Sequence, residues 1–331
     1  MVSAVIFVAT SCVSPLTGFA FWETNLAYEG ESIYNYLQVK NLSDRTILST
    51  NVLFGVQSVT MKDKGLTGMY YDTALAAPAL ADNANSALIL GMGTGTYARQ
   101  LKQYYPKMNI TGVEIDQKIT DLAGEYFDEP ADIPVTTYDG RAWLAASHDK
   151  YDVIMVDAYQ DITIPFQMSS TEFFTMVREH LNPGGVMVVN MNMISDGQGS
   201  INEALSDTIA SVFGNGNTLT ADVPNTTNRE LFAKKPGSGS EENSMQQASK
   251  ALNLRETTYE RTGSEDLEWY MEEVASRFRK VNEPDSASTI LTDDKAPVEV
   301  LGMHAIDQII ADEAGPYPVS YTHLTLPTTP Y

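Results

Sequence analysis

The chain has 331 residues, 43% of them hydrophobic, a formal net charge of −22 and a sequence pI near 4.4. That length buries one α/β core plus a smaller accessory domain, and so acidic a surface repels nucleic-acid phosphates, which excludes DNA or RNA as a partner. The single cysteine, Cys12, excludes an intrachain disulfide, and four scattered histidines without HxxxH or CxxC spacing give no expectation of a metal.

In chain order, residues 2–22 carry no charge and are rich in Val, Ala and Phe. About 20 apolar residues suffice to cross a bilayer. A transmembrane helix is the favoured reading, ahead of a buried or interfacial hairpin and a signal-like segment, although Pro15 and Gly18 weaken it. Residues 32–59 then read as short strands, with aromatic and β-branched runs at 36–39, 47–48 and 52–54. Residues 73–80 read as a helix.

From residue 86 the pattern alternates. Strands are expected at 87–90, 109–113, 135–138, 151–156 and 186–190, and helices at 96–105, 118–127, 141–146, 171–181 and 201–213. Strands alternating with helices imply βαβ units and a parallel sheet covered on both faces. Residues 237–243 read as a mobile Gly/Ser/Glu loop, and 267–278 as an amphipathic helix. The tail 316–331 is uncharged and rich in Pro and Thr, and is set aside as unstructured or non-native. The expected organisation is a hydrophobic segment (1–22), a small N-terminal β domain (31–64), a Rossmann-like nucleoside-binding catalytic domain (65–315) and that tail.

The sharpest motif is Gly91-Met92-Gly93-Thr94-Gly95, between an expected strand and an expected helix. Gly91 permits a tight turn, and Gly93 and Gly95 let the backbone approach a ligand at the helix N-terminus. Glu114 ends the next strand, 23 positions after Gly91, where a carboxylate accepts from ribose hydroxyls. A dinucleotide fingerprint would place a third glycine at the position of Thr96, so this GxGxG form looks more like enzymes that bind S-adenosylmethionine. Asp139-Gly140 follows the third strand; Asp139 is a candidate contact for an adenine amino group, or simply a helix N-cap. Asp157 ends the fourth strand, at the side of the sheet where ligands of open parallel sheets sit. Asp161 follows in the next loop.

Taken in order, Gln57-Ser58, Tyr70-Tyr71-Asp72, residues 91–95, Val113-Glu114-Ile115-Asp116, Asp139-Gly140-Arg141 and residues 151–157 resemble the spermidine synthase (polyamine aminopropyltransferase) family, and residues 291–299 resemble a C-terminal motif of its membrane-fused bacterial members. The resemblance implies an α/β fold, a Rossmann-like sheet of the S-adenosylmethionine-dependent methyltransferase type with a small N-terminal β domain. It implies transfer of an aminopropyl group from decarboxylated S-adenosylmethionine to a polyamine acceptor, without a metal. It places Asp157 as the catalytic base, Gly91, Gly93, Gly95, Glu114, Asp139 and Gly140 at the nucleoside, and Gln57, Tyr70 and Asp161 at the amine. The sequence departs from the family at Thr94, where an acid usually holds the donor's ammonium group, and at Gln160, where a second acid is usual. These departures keep two other readings open: a methyltransferase using S-adenosylmethionine itself, and a non-catalytic nucleoside-binding sensor. The expected partners are a small-molecule amine and, through the N-terminus, a membrane, with the catalytic domain on the cytoplasmic side; a homodimer is left open.

Overall fold

The computed structural model describes residues 20, 23–51, 56–63, 65–159, 164–192, 197, 199–237, 244–286 and 288–305. The N-terminal unit is an antiparallel meander of β1 (Leu26–Glu31), β2 (Tyr36–Asn41), β3 (Arg45–Thr50) and β4 (Ser58–Met61), in that spatial order. Its inward side chains Leu37, Val39 and Leu48 are fully buried, packing on Ile119, Leu122 and Phe127 of the larger unit. The strand expected at 52–54 lies outside the described residues.

Two short helices, α1 (Tyr70–Ala74) and α2 (Ala76–Leu80), lead into the main sheet. Its parallel strands are β5 (Ser86–Leu90), β6 (Asn109–Glu114), β7 (Val135–Thr137), β8 (Tyr151–Val156) and β9 (Leu181–Met191). Between them run α3 (Thr96–Tyr104), α4 (Gln117–Tyr126), α5 (Gly140–Ala146) and α6 (Thr171–His180). All six residues of β8 are buried, as the uninterrupted apolar run of a strand covered on both faces requires. Helix starts follow capping chemistry: Asp116 accepts from the N–H of Lys118, Asp139 from Ala142 and Ser170 from Phe173.

After α7 (Ile201–Phe213), the antiparallel strands β10 (Thr218–Asp222) and β11 (Arg229–Lys234) extend the sheet beside β9. Helices α8 (Ser244–Ala248), α9 (Ala251–Thr262) and α10 (Glu265–Arg277) follow, and β12 (Phe278–Lys280) closes the edge. The order is β12-β10-β11-β9-β8-β5-β6-β7. The chain therefore reverses direction across the sheet between β5 and β8, the crevice where open α/β sheets hold ligands.

The expectation of membrane association through the N-terminus is corrected here: no helix among the described residues is long and apolar enough to cross a bilayer. Within the segment 2–22 itself, only Ala20 belongs to the described residues; it is buried, and its N–H donates to Glu29 Oε1 at 2.9 Å. Residues 238–243 and the tail from 306 onward, including 316–331, also lie outside the described residues.

Candidate active site

The site is built at the ends of β5, β6 and β8. Gly91 turns the chain out of β5 at φ +86°, and its N–H and that of Met92 both donate to the Val113 carbonyl, at 2.9 and 3.0 Å. A Cβ at Gly91 would stand 2.4 Å from the carbonyl oxygen of Asp157, so only glycine lets the loops after β5 and β8 meet. Gly95, at φ +78°, caps α3.

Glu114 at the end of β6 is buried. Its Oε2 accepts from the Gly93 N–H at 2.8 Å and its Oε1 from the Asp116 N–H at 3.0 Å, which fixes the carboxylate against the glycine loop. Burial pushes its carboxyl up, and those backbone N–H groups pull it part of the way back. Asp116 in turn accepts from Ser32 Oγ at 2.6 Å and Asn35 Nδ2 at 3.0 Å, pinning the N-terminal meander so that Tyr34 and Asn35 become cleft walls. Asp139 caps α5 through Oδ1, 2.7 Å from the Ala142 N–H, and also lines the cleft.

Asp157 follows β8. Tyr70 donates its hydroxyl to Oδ2 at 2.5 Å, and Asn190 at the end of β9 donates its amide to Oδ1 at 2.9 Å. Asn228 Nδ2 donates to Asn190 Oδ1 at 2.9 Å, which sets the orientation of that side-chain amide. Desolvation pushes the Asp157 carboxyl up to about 7, the two hydrogen bonds opposing it and the charge of Glu114 adding to it. Tyr70 and Tyr71 stack with centroids 4.0 Å apart, and the Tyr71 hydroxyl reaches the Gln57 carbonyl at 3.3 Å.

Gln57, Tyr70, Gly91, Gly93, Glu114, Asp139, Gly140 and Asp157 thus line one cleft of about 200 Å³, while Gly95 stands behind it as the helix cap and Asp161 lies outside the described residues. Thr94 is buried and is not among the described lining residues; its hydroxyl lies 3.5 Å from that of Thr96, a cleft residue, which donates to the Val59 carbonyl at 2.8 Å. Among the described residues, the lining contains three carboxylates and no Lys, Arg or His. Sequence reasoning missed Tyr34, Asn35, Tyr97, Tyr159 and Asn190. An asparagine ending an apolar strand at the ligand side of the sheet was the available signal for Asn190; the rest come from tertiary contacts.

A family model for the spermine/spermidine synthase domain matches residues 69–235. The polyamine aminopropyltransferase of Corynebacterium efficiens is 37% identical over 131 residues, 36% of this chain and 25% of that protein. That of Vibrio vulnificus is 28% identical over 209 residues, 60% of this chain and 69% of that protein. The chain therefore spans between a quarter and about two thirds of the length of these curated relatives. Among solved structures, a probable spermidine synthase from Corynebacterium glutamicum shares the fold with a TM-score of 0.57 at 22% identity, over 81% of this chain and 99% of that one. The spermidine synthase from Thermotoga maritima does so with a TM-score of 0.52 at 19% identity, over 65% of this chain and 74% of that one. The family match covers half of the chain, from α1 through the end of β11 and including Gly91, Glu114, Asp139 and Asp157, and on it the chain belongs to the spermine/spermidine synthase domain family.

Proposed function

We propose that the chain is a polyamine aminopropyltransferase, moving an aminopropyl group from decarboxylated S-adenosylmethionine to an amine acceptor. The observation that carries this reading is the cleft's charge: three carboxylates, a tyrosine hydroxyl bonded to Asp157, and no basic side chain among the described lining residues. Such a wall suits a cationic sulfonium donor and an ammonium acceptor, and disfavours phosphate-bearing ligands. The names carried by the relatives agree with it.

In this reading Glu114 holds the ribose hydroxyls, Asp139 and Gly140 flank the base, and Gly91 and Gly93 let the main chain approach the nucleoside. The donor supplies a carbon activated by its bond to positively charged sulfur. An aliphatic amine of pKa about 10 arrives protonated and has no lone pair to attack with. Asp157, with its carboxyl near 7, takes that proton at neutral pH and above, and Tyr70 and Asn190 fix the carboxylate so that the nitrogen faces the carbon. The new C–N bond forms as the C–S bond breaks, its electron pair going to sulfur, and methylthioadenosine leaves.

The test is to incubate the chain with 1,4-diaminobutane and each donor separately. Methylthioadenosine released from the decarboxylated donor supports the reading. S-adenosylhomocysteine released from S-adenosylmethionine would replace it with methyl transfer, which Thr94, a non-acid where the family usually has an acid, would then explain.

A further inference from the structure

The helical hairpin of α9 and α10 lies beyond residue 235, where the family match ends, and none of its residues lines the cleft. Its inner face is an anchor: Leu254, Leu267, Met271 and Val274 are fully buried in the core that also holds Leu80 of α2. Its outer face departs from the polar surface expected of an amphipathic helix. Leu252, Tyr259 and Trp269 stand 64%, 47% and 59% exposed. Leu252, Arg255 and Tyr259 are spaced i, i+3 and i+7, so they form one stripe along α9. The Arg255 guanidinium lies 4.2 Å from the centre of the Trp269 ring, which joins α10 to that stripe. Single exposed apolar residues need no explanation, but three joined across two helices mark an interaction surface.

The charge around the stripe is one-sided. Helices α9 and α10 carry seven carboxylates against three arginines, and each arginine is already engaged. Arg255 donates to Glu268 Oε1 at 2.7 Å and to Glu272 Oε2 at 2.8 Å. Arg261 turns inward to the carbonyls of Pro78, Ala81 and Asp82. Arg277 donates to the Asp222 carbonyl at 3.0 Å. Glu256 and Glu260 on α9, and Glu265 and Glu273 on α10, are exposed to solvent around the apolar side chains. An apolar stripe bordered by acids excludes most occupants. Nucleic acid and the anionic surface of a membrane are repelled. A second copy of the chain brings the same acids and is repelled as well. A free polyamine would neutralise the carboxylates and leave the rings in water.

We propose that this face docks a basic amphipathic helix of a partner protein, its apolar side chains on Leu252, Tyr259 and Trp269 and its Lys and Arg on the surrounding glutamates. The inference is independent of the aminopropyl-transfer reading, since nothing in it involves the cleft. The geometry suits the occupant. Leu252 and Tyr259 are roughly 10 Å apart along α9, the distance between the i and i+7 anchors of a docked helix. The aromatic rings supply contact area at little entropic cost, while the acids select a cationic partner and speed its approach. The buried inner face holds both helices in place, so the surface is formed before the partner arrives.

The probe is a fluorescein-labelled peptide of about 14 leucine and lysine residues, leucines at helical i, i+3, i+4 and i+7 spacing, followed by anisotropy against the full chain. A peptide of the same composition in shuffled order, and one with glutamate for lysine, are the comparisons. We expect a Kd on the order of 10 µM for the amphipathic peptide, binding weaker by about tenfold for the shuffled one and none for the glutamate one. Trp269→Ala and Leu252→Ser should each weaken it about fivefold, and Glu256→Lys with Glu260→Lys about tenfold. Asp149→Lys with Glu179→Lys, an equal change of charge beside α6, should change it by less than about twofold. Thermal midpoints close to that of the unaltered chain establish that the variants fold. Equal weakening by the two charge reversals, or equal binding of ordered and shuffled peptides, would show attraction to bulk charge alone and overturn the proposal. Absence of binding would do the same. So would a sedimenting dimer that Trp269→Ala dissociates, which would place a second copy on this face.

Discussion

Asp157 carries the most chemistry per atom in this molecule. Its carboxyl is pushed up to about 7, so it is protonated below that pH and able to accept a proton above it. Turnover should therefore be lost as pH falls through about 7, which a rate–pH profile at saturating donor will read. Asp157→Asn should lower kcat by roughly 10²–10⁴-fold, the usual worth of a positioned base, with methylthioadenosine binding retained. Tyr70 donates to the ionised form of Asp157 and so holds its carboxyl down. Tyr70→Phe removes a bond worth about 1 kcal/mol, and the midpoint of the profile should move to higher pH by roughly half to one unit. A midpoint that stays in place would show that Tyr70 does not set the basicity of Asp157. Glu129 is a further acid here: burial and the charge of Glu114 push it up to about 7, and it stands where a Cβ at Gly95 would come within 3.0 Å.

At the scale of elements, the site depends on one backbone approach. Gly91 stands at φ +86° against the Asp157 carbonyl, which itself follows the bond from the Asp157 N–H to the Leu90 carbonyl at 2.9 Å. Gly91→Ala meets both a left-handed backbone and a steric overlap with main chain, so a destabilisation of about 2–4 kcal/mol is expected in urea unfolding, with loss of nucleoside binding in what remains folded. This junction was legible in the sequence, because the strand, the glycines and the helix each carry their own local signal. The alternation of β5 through β9 with its helices was legible for the same reason, to within a few residues at most ends. The exception is β9, which begins at Leu181 because Asn182-Pro183-Gly184-Gly185 form an irregular start to the strand rather than a separate turn. The strands β10 and β11 were not legible. Arg-Glu-Leu-Phe-Ala-Lys reads as a polar surface segment, yet all six residues are buried: Arg229 pairs with Asp222, Lys234 reaches Asp82 and the Leu80 carbonyl, and Glu230 is fully buried. Those pairings join residues as far as 154 positions apart, which no window of sequence displays.

At the scale of the whole molecule, both ends of the described chain are drawn to the cleft. The meander reaches it through Ser32 and Asn35 on Asp116. The C-terminal motif reaches it through Asp293, which takes both guanidinium nitrogens of Arg141 at 2.7 and 2.6 Å and the Ser170 hydroxyl at 2.5 Å; Arg141 also holds the carbonyl of Gln167, a cleft residue. That Arg141–Asp293 bridge was invisible in the sequence, although the motif containing Asp293 was recognisable. The Arg141 guanidinium and the Ser170 hydroxyl hold the Asp293 carboxyl below the usual range. Its contribution is therefore complete above the carboxylate's ordinary pKa and is lost as pH falls through the lowered one. The pair is partly exposed, so Asp293→Asn should cost on the order of 1 kcal/mol in thermal unfolding at pH 7, and the difference from the unaltered chain should vanish in strong acid.

The account rests on Glu114 at the end of β6 and Asp157 after β8, on either side of β5, facing one adenosyl ligand. Titration of methylthioadenosine into the full chain and into Glu114→Gln measures this most directly. The predicted result is one site per chain with a Kd on the order of micromolar, weakened about 10- to 100-fold in the variant because a charge-assisted pair of hydrogen bonds to the ribose is lost. Absence of binding to the unaltered chain, or an affinity that Glu114→Gln leaves unchanged, would contradict it.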